Sequence, residues 1–178
     1  MKLKWILAIA VLIAIVAFVS LQAKQKAKKP AVATTQNGIE TIHATDNELP
    51  VFSMQGVDGK IVTLQSFKGK KVFVNLWASW CPPCKREMPS IEKLYKSADT
   101  AKVAFVLIAL DDQFEKSQQF MQARSFKVPI YYPAENLPAL FNVEGIPATF
   151  IFDETGKLMH QVEGSDDYDT DFYKKLLK

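Results

Sequence analysis

Two stretches of the chain carry apolar residues without alternation: Lys71–Ala78 (KVFVNLWA), interrupted at Asn75, and Ala101–Leu110 (AKVAFVLIAL), apolar after Lys102. Runs with no polar face suit strands covered on both sides, as in a parallel sheet. Between them, Pro82–Ser97 places Met88, Ile91, Leu94 and Tyr95 at helical spacing. The three segments predict a strand–helix–strand unit with a right-handed crossover. Upstream, VFSMQ and IVTLQ flank Gly56-Val57-Asp58-Gly59, which predicts a hairpin. Downstream, the pattern predicts a helix over Phe114–Arg124, a short strand near Pro129–Tyr132 and a helical turn near Leu137–Phe141. A second hairpin follows around Glu154–Lys157, and an amphipathic helix over Tyr168–Leu177 ends the pattern. No internal repeat is visible.

The first 46 residues follow other rules. Lys2 and Lys4 precede an apolar run from Trp5 to Leu21, and Lys24, Lys26, Lys28 and Lys29 follow it. The run is near the lower limit for spanning a bilayer and slightly long for a signal-peptide core. It lacks the polar face of a core helix. Residues 1–23 therefore read as a membrane anchor or an export signal, with an anchor preferred over cleavage after Ala23. Counting lysines alone would leave the C-terminal side in the cytoplasm. The short basic start followed by an apolar run is the pattern of an exported chain, and long translocated domains override the count. The expected location is the cytoplasmic membrane, with the globular domain on the extracytoplasmic, periplasm-facing side. Residues 24–46, rich in Lys, Ala, Thr, Gln and Asn, read as a tether that contains His43. Residues 47–178 form the expected globular domain.

Composition narrows the function. An apolar fraction of 48% supports a packed core, and a net charge of +3 gives no basic face of the kind nucleic-acid binding needs. Neither nucleic acid nor a bound cofactor is expected.

The chain has two cysteines, both in WASWCPPCKREMP, Trp77–Pro89. Cys81 follows a strand and opens a helix. Pro82 suits the first helical position, where a missing N–H costs nothing. The helix N-terminus offers free N–H groups and partial positive charge, which favour a thiolate. Cys84 lies one turn on, placed to attack a mixed disulfide formed at Cys81. A purely structural disulfide would close a longer loop. Zinc would need about four ligands, against two cysteines and two histidines, His43 and His160. A two-thiolate Cu(I) site remains chemically open. Thiol–disulfide exchange is the preferred chemistry.

VNLWASWCPPCKREMP, taken with GIPATFIFDETGK, resembles the membrane-anchored thioredoxin-like oxidoreductases of the TlpA/ResA type over about residues 46–178. The resemblance implies an α/β thioredoxin fold, a central mixed sheet flanked by helices, with an added N-terminal hairpin and a preceding transmembrane helix. It implies that Cys81 attacks, that Cys84 resolves, that the two form a redox disulfide, and that the bond before Pro147 is cis. The backbone of Ile146 would then face the site, where a substrate segment could pair with it. Thioredoxin itself carries a buried aspartate six residues before its first cysteine; Asn75 stands there in this chain. The resemblance offers Asp112, after the next strand, as a replacement acid, and a carboxylate there would shift the thiols' acidity. Trp77 and Trp80 are expected around the site. Trp80, Pro82, Pro83, Ile146 and Glu87 are candidates for substrate contact, with a solvated helix face as the other reading of Glu87. His160 is read as structural.

The function expected from these features is an exported, membrane-tethered reductase of cysteine-containing exported proteins, recharged by a membrane thiol donor. Apocytochrome c cysteines or copper-site thiols are the substrates the resemblance implies. A disulfide-forming oxidase, a peroxiredoxin-like peroxidase and a Cu(I)-binding module are the alternatives. Only 34 residues separate Asp112 from Pro147, little room for the helical insertion of DsbA-type oxidases.

Overall fold

The computed structural model describes residues 47–178. The anchor and tether expected over residues 1–46, His43 included, lie outside the described residues. Among the described residues, no helix is long and apolar enough to cross a membrane.

The first hairpin forms where the turn signals stand: β1 (Ser53–Gly56) pairs antiparallel with β2 (Ile61–Thr63), and Gly59 supplies a positive φ of 79° in the turn. The strand–helix–strand unit follows as β3 (Lys71–Trp77), α1 (Pro82–Ser97) and β4 (Val103–Ala109). The next elements are α2 (Phe114–Ala123), β5 (Ile130–Pro133) and a 3-10 turn at Ala139–Phe141. The second hairpin is β6 (Ala148–Phe152) with β7 (Leu158–Glu163). The last element, α3, spans Asp171–Leu176. The C-terminal amphipathic pattern thus becomes helical later than expected. Tyr168 is fully buried in the preceding loop, where its ring packs on Phe73 and Tyr173.

All seven strands form one mixed sheet in the order β2-β1-β5-β4-β3-β6-β7. β3 and β4 are parallel and central, in register from Lys71↔Val103 to Trp77↔Ala109. Alternation along a strand divides side chains between two faces. Val72, Val74, Leu76, Val106 and Ile108 join one core with Phe52, Phe141 and Phe150. Phe73, Trp77, Phe105 and Leu107 join the other, with Met88, Ile91 and Leu94 of α1, Phe120 of α2 and Tyr173 of α3. Apolar partners on both sides explain why β3 and β4 read as unbroken apolar runs. The same alternation puts Asn75, between Phe73 and Trp77, on the face covered by α1.

Candidate active site

The site is assembled at the carboxyl ends of β3 and β4, where ligands meet open α/β sheets. The chain leaves β3 at Trp77 and turns through Ala78–Trp80. Cys81 is the N-cap of α1, followed by Pro82 and Pro83 at the first two helical positions. Neither proline has an N–H. The backbone amide of Cys84 is therefore the first in the helix free to donate, and it donates to Cys81 Sγ at 3.2 Å.

Cys81 and Cys84 form a disulfide, with Cα atoms 5.3 Å apart. Cys81 is 3% exposed and Cys84 is fully buried. The peptide bond between Ile146 and Pro147 is cis. The carbonyl oxygen of Ile146 lies 3.7 Å from Cys81 Sγ, so a Cys81 thiol could donate to it after reduction. Pro147 directly precedes β6, and its own carbonyl accepts from Gly164 N–H at 2.8 Å. Cys81, Cys84, Ile146 and Pro147 therefore meet at one point.

Other candidates are sorted differently. Trp77 is fully buried against Phe120, with ring centroids 5.5 Å apart. Trp80 is 62% exposed and stands at the rim. Pro82 is exposed and Pro83 half-buried. His160 packs edge-on against Phe172 and Tyr173, which fits a structural role.

Asp112, offered by the resemblance as a replacement acid, is not desolvated. Its side chain is exposed, and both its oxygens accept from Lys116 Nζ, at 2.7 and 2.8 Å. That contact holds its pKa below the ordinary carboxylate range, the opposite of a proton acceptor near neutrality. The buried carboxylate is its neighbour, Asp111, which is 4% exposed. Asp111 accepts from the backbone N–H of Ser79 at 3.0 Å, from the Ser79 hydroxyl at 2.6 Å and from the Ser117 hydroxyl at 2.5 Å. It ties the turn before Cys81 to the start of α2.

Glu87 also lies elsewhere than its sequence setting suggests. It is neither on a solvated face nor at a substrate-contacting surface, being 2% exposed. Residues three apart on a helix share a face, so Glu87 lies one turn along α1 on the buried side with Cys84. Asn75 donates one amide N–H to Glu87 Oε1 and the other to Thr149 Oγ1, each at 2.9 Å. Asp166 N–H donates to Glu87 Oε2 at 3.3 Å. Burial pushes the Glu87 carboxyl up to about 7, against the opposing pull of the hydrogen bonds from Asn75 and Asp166. An acid pushed up to about 7 thus stands one turn from Cys84. The sequence carried a signal for it: Glu87 interrupts the apolar stripe of α1 as Asn75 interrupts that of β3, and two polar residues on facing buried surfaces must satisfy one another.

The Redoxin family model matches residues 44–176. The thioredoxin-like protein YneN of Bacillus subtilis is 39% identical over 111 residues, covering 61% of this chain and 65% of YneN. The thiol-disulfide oxidoreductase ResA of Bacillus thuringiensis subsp. konkukian is 30% identical over 118 residues, covering 66% and 68% of the two chains. Among solved structures, a thiol:disulfide interchange protein DsbE of Chlorobium tepidum superposes with a TM-score of 0.64 at 25% identity, over 72% of this chain and 92% of that one. With the disulfide at a helix N-terminus opposite a cis-proline, these matches place the chain in the Redoxin family, as a thiol–disulfide oxidoreductase of the ResA/DsbE type whose redox pair is Cys81–Cys84.

Proposed function

We propose that this protein is an exported, membrane-tethered reductase of disulfides in extracytoplasmic proteins. The observation that carries the reductase chemistry is the pairing of a reachable Cys81 with a buried Cys84 one turn from Glu87. The Trp5–Leu21 apolar run with its basic start supports export and tethering. In the reduced protein, the Cys81 thiolate attacks one sulfur of a substrate disulfide. That S–S bond breaks, a mixed disulfide forms, and the first substrate thiolate leaves and takes a proton from water. Cys84 then gives its proton to Glu87, and its thiolate attacks Cys81 Sγ. The mixed disulfide breaks, the second substrate thiolate leaves, and the Cys81–Cys84 disulfide is regenerated. Two electrons pass to the substrate, and a membrane thiol donor returns them in the next cycle. A proton acceptor half ionised near the working pH serves both directions of this transfer. Asp112, already paired with Lys116, has no part in the scheme. Cysteines of apocytochromes c or of copper sites are the substrates proposed, reached by strand-like pairing with Ile146 and contact with Trp80, Pro82 and Pro83.

Trapping tests the assignment of the two thiols. Cys84→Ser should accumulate mixed disulfides with exported proteins through Cys81, and Cys81→Ser should not. Equal trapping by both would overturn the roles. A reporter active only outside the cytoplasm, fused after Lys178, should be active; activity from a cytoplasmic reporter alone would overturn export.

A further inference from the structure

Glu87 is one end of a buried chain of polar groups that runs away from the thiols. Both N–H groups of the Asn75 amide are used, one on Glu87 Oε1 and one on Thr149 Oγ1. The carbonyl oxygen of the same amide is buried without a partner. Thr149 Oγ1 is in turn 2.6 Å from the phenol oxygen of Tyr168. Asn75, Thr149 and Tyr168 are each fully buried.

The amide has two orientations of similar shape and opposite polarity. With its N–H groups toward Glu87 it favours the carboxylate. Turned over, its carbonyl would accept from a protonated Glu87 and favour the acid. We infer that Tyr168, whose hydroxyl bonds to Thr149 and not to either cysteine, is a positioning residue for the redox step: through Thr149 it holds the Asn75 amide with its N–H groups toward Glu87. The inference rests on the reading of Glu87 as the proton carrier for Cys84.

Turning the amide would break the bond from Asn75 to Thr149. The Thr149 hydroxyl could donate to the turned carbonyl only by reorganising its contact with Tyr168. The chain thus raises the cost of the orientation that suits protonated Glu87. Burial, followed by the charge of Glu87, pushes the Tyr168 phenol far above its ordinary range, so it stays neutral throughout. The other groups facing Glu87 are Cys84 on its own helix, Asp166 in the loop before α3 and Tyr173 on α3. Tyr173 donates its hydroxyl to Asp166 Oδ2, and the charge of Asp166 disfavours ionisation of Glu87. None of these contacts the Asn75 amide, so substitutions at Tyr168 and Thr149 isolate the chain.

The test uses the full-length protein with 13C-labelled glutamate carboxyls, the Glu87 signal being assigned by its loss in Glu87→Gln. In the oxidised protein, Tyr168→Phe and Thr149→Val should each raise the Glu87 titration midpoint by about one pH unit, a tenfold gain in proton affinity. Thr149→Ser, which keeps the hydroxyl, should leave it in place. Thr149→Val reads the chain independently if Tyr168→Phe does not fold. In parallel, single-turnover reduction of a disulfide peptide by the reduced protein should show a near-neutral inflection, absent in Glu87→Gln and displaced upward in Tyr168→Phe. An unmoved Glu87 midpoint in both chain variants overturns the role of Tyr168 alone. A Glu87→Gln rate profile identical to wild type overturns the proton-carrier reading, and the redox role of Tyr168 with it, even if the midpoint moves.

Discussion

Asp111 grips Ser79 twice, by its backbone N–H at 3.0 Å and by its hydroxyl at 2.6 Å. Ser79 is two residues before Cys81, so this buried carboxylate fixes the turn that delivers Cys81 to the helix. The next residue, Asp112, points outward to Lys116. Adjacent carboxylates at the end of β4 therefore have unrelated duties.

Asp111→Ala should leave the buried Ser117 hydroxyl and the half-buried Ser79 donors without their acceptor, costing about 2–4 kcal/mol. It should also slow attack by Cys81, because the turn is no longer held. Asp112→Asn removes an exposed ion pair and should cost less than about 0.5 kcal/mol, with thiol titration unchanged. Urea unfolding and absorbance titration of the thiolate distinguish the two. Equal destabilisation by both substitutions would contradict the assignment.

Glu87 makes stability depend on pH in a direction opposite to most carboxylates. Its folded value, about 7, lies above the unfolded reference of 4.5, so the folded protein binds the extra proton between them. Its burial is therefore tolerated below about pH 4.5 and costs increasingly as pH rises through 7. Glu87→Gln removes that dependence. In urea unfolding of the oxidised protein, the variant should gain on wild type between pH 4 and pH 8 by up to about 3 kcal/mol. A constant difference across that range would show that Glu87 does not titrate there.

The paired prolines leave one helix N–H, that of Cys84, aimed at Cys81 Sγ. Pro83→Ala restores a donor at the second helical position, where an N-cap side chain can accept it. A second N–H should stabilise the thiolate and with it the reduced form. The Cys81 thiol should become more acidic, and the reduction potential should rise by some tens of millivolts, at about 30 mV per 1.4 kcal/mol. Equilibration against a glutathione buffer measures the change. A fall in potential would show that the prolines act by some other route.

The strands, both hairpins and α1 were legible because each has a strong local signal: double-sided apolar runs, Gly-bearing turns and a proline-marked helix start. The cysteine pair was legible from its spacing and sequence context, and Pro147 only through the family resemblance that the pair and GIPAT carry together. The acid was not. Asp111 and Asp112 look equivalent along the chain, and only the packing of α2 against β4, with Ser117 facing inward, decides which is buried. Glu87 breaks the apolar stripe of α1, but beside Lys85 and Arg86 that break is equally the mark of a solvated position until its buried partners are known. Its burial depends on Asn75, 12 positions away, and through it on Thr149, 62 positions away. Tyr168 has an apolar spacing that fits the last helix, yet it is recruited into the core beside Phe73 before that helix starts.

The dithiol also acts as a mesh. With Cys84 sealed in the core and Cys81 3% exposed, Cys81 is the one member of the pair that an incoming disulfide can reach. On the proposed reductase function, a partner would bring its own sulfur up to that cysteine on a segment pliable enough to run alongside Ile146. Disulfides locked inside finished, rigid proteins would fail at this step however reducible they are, while those in nascent or loosely folded chains would pass. Geometry would thus spare structural cross-links, with no recognition sequence needed to tell the two groups apart.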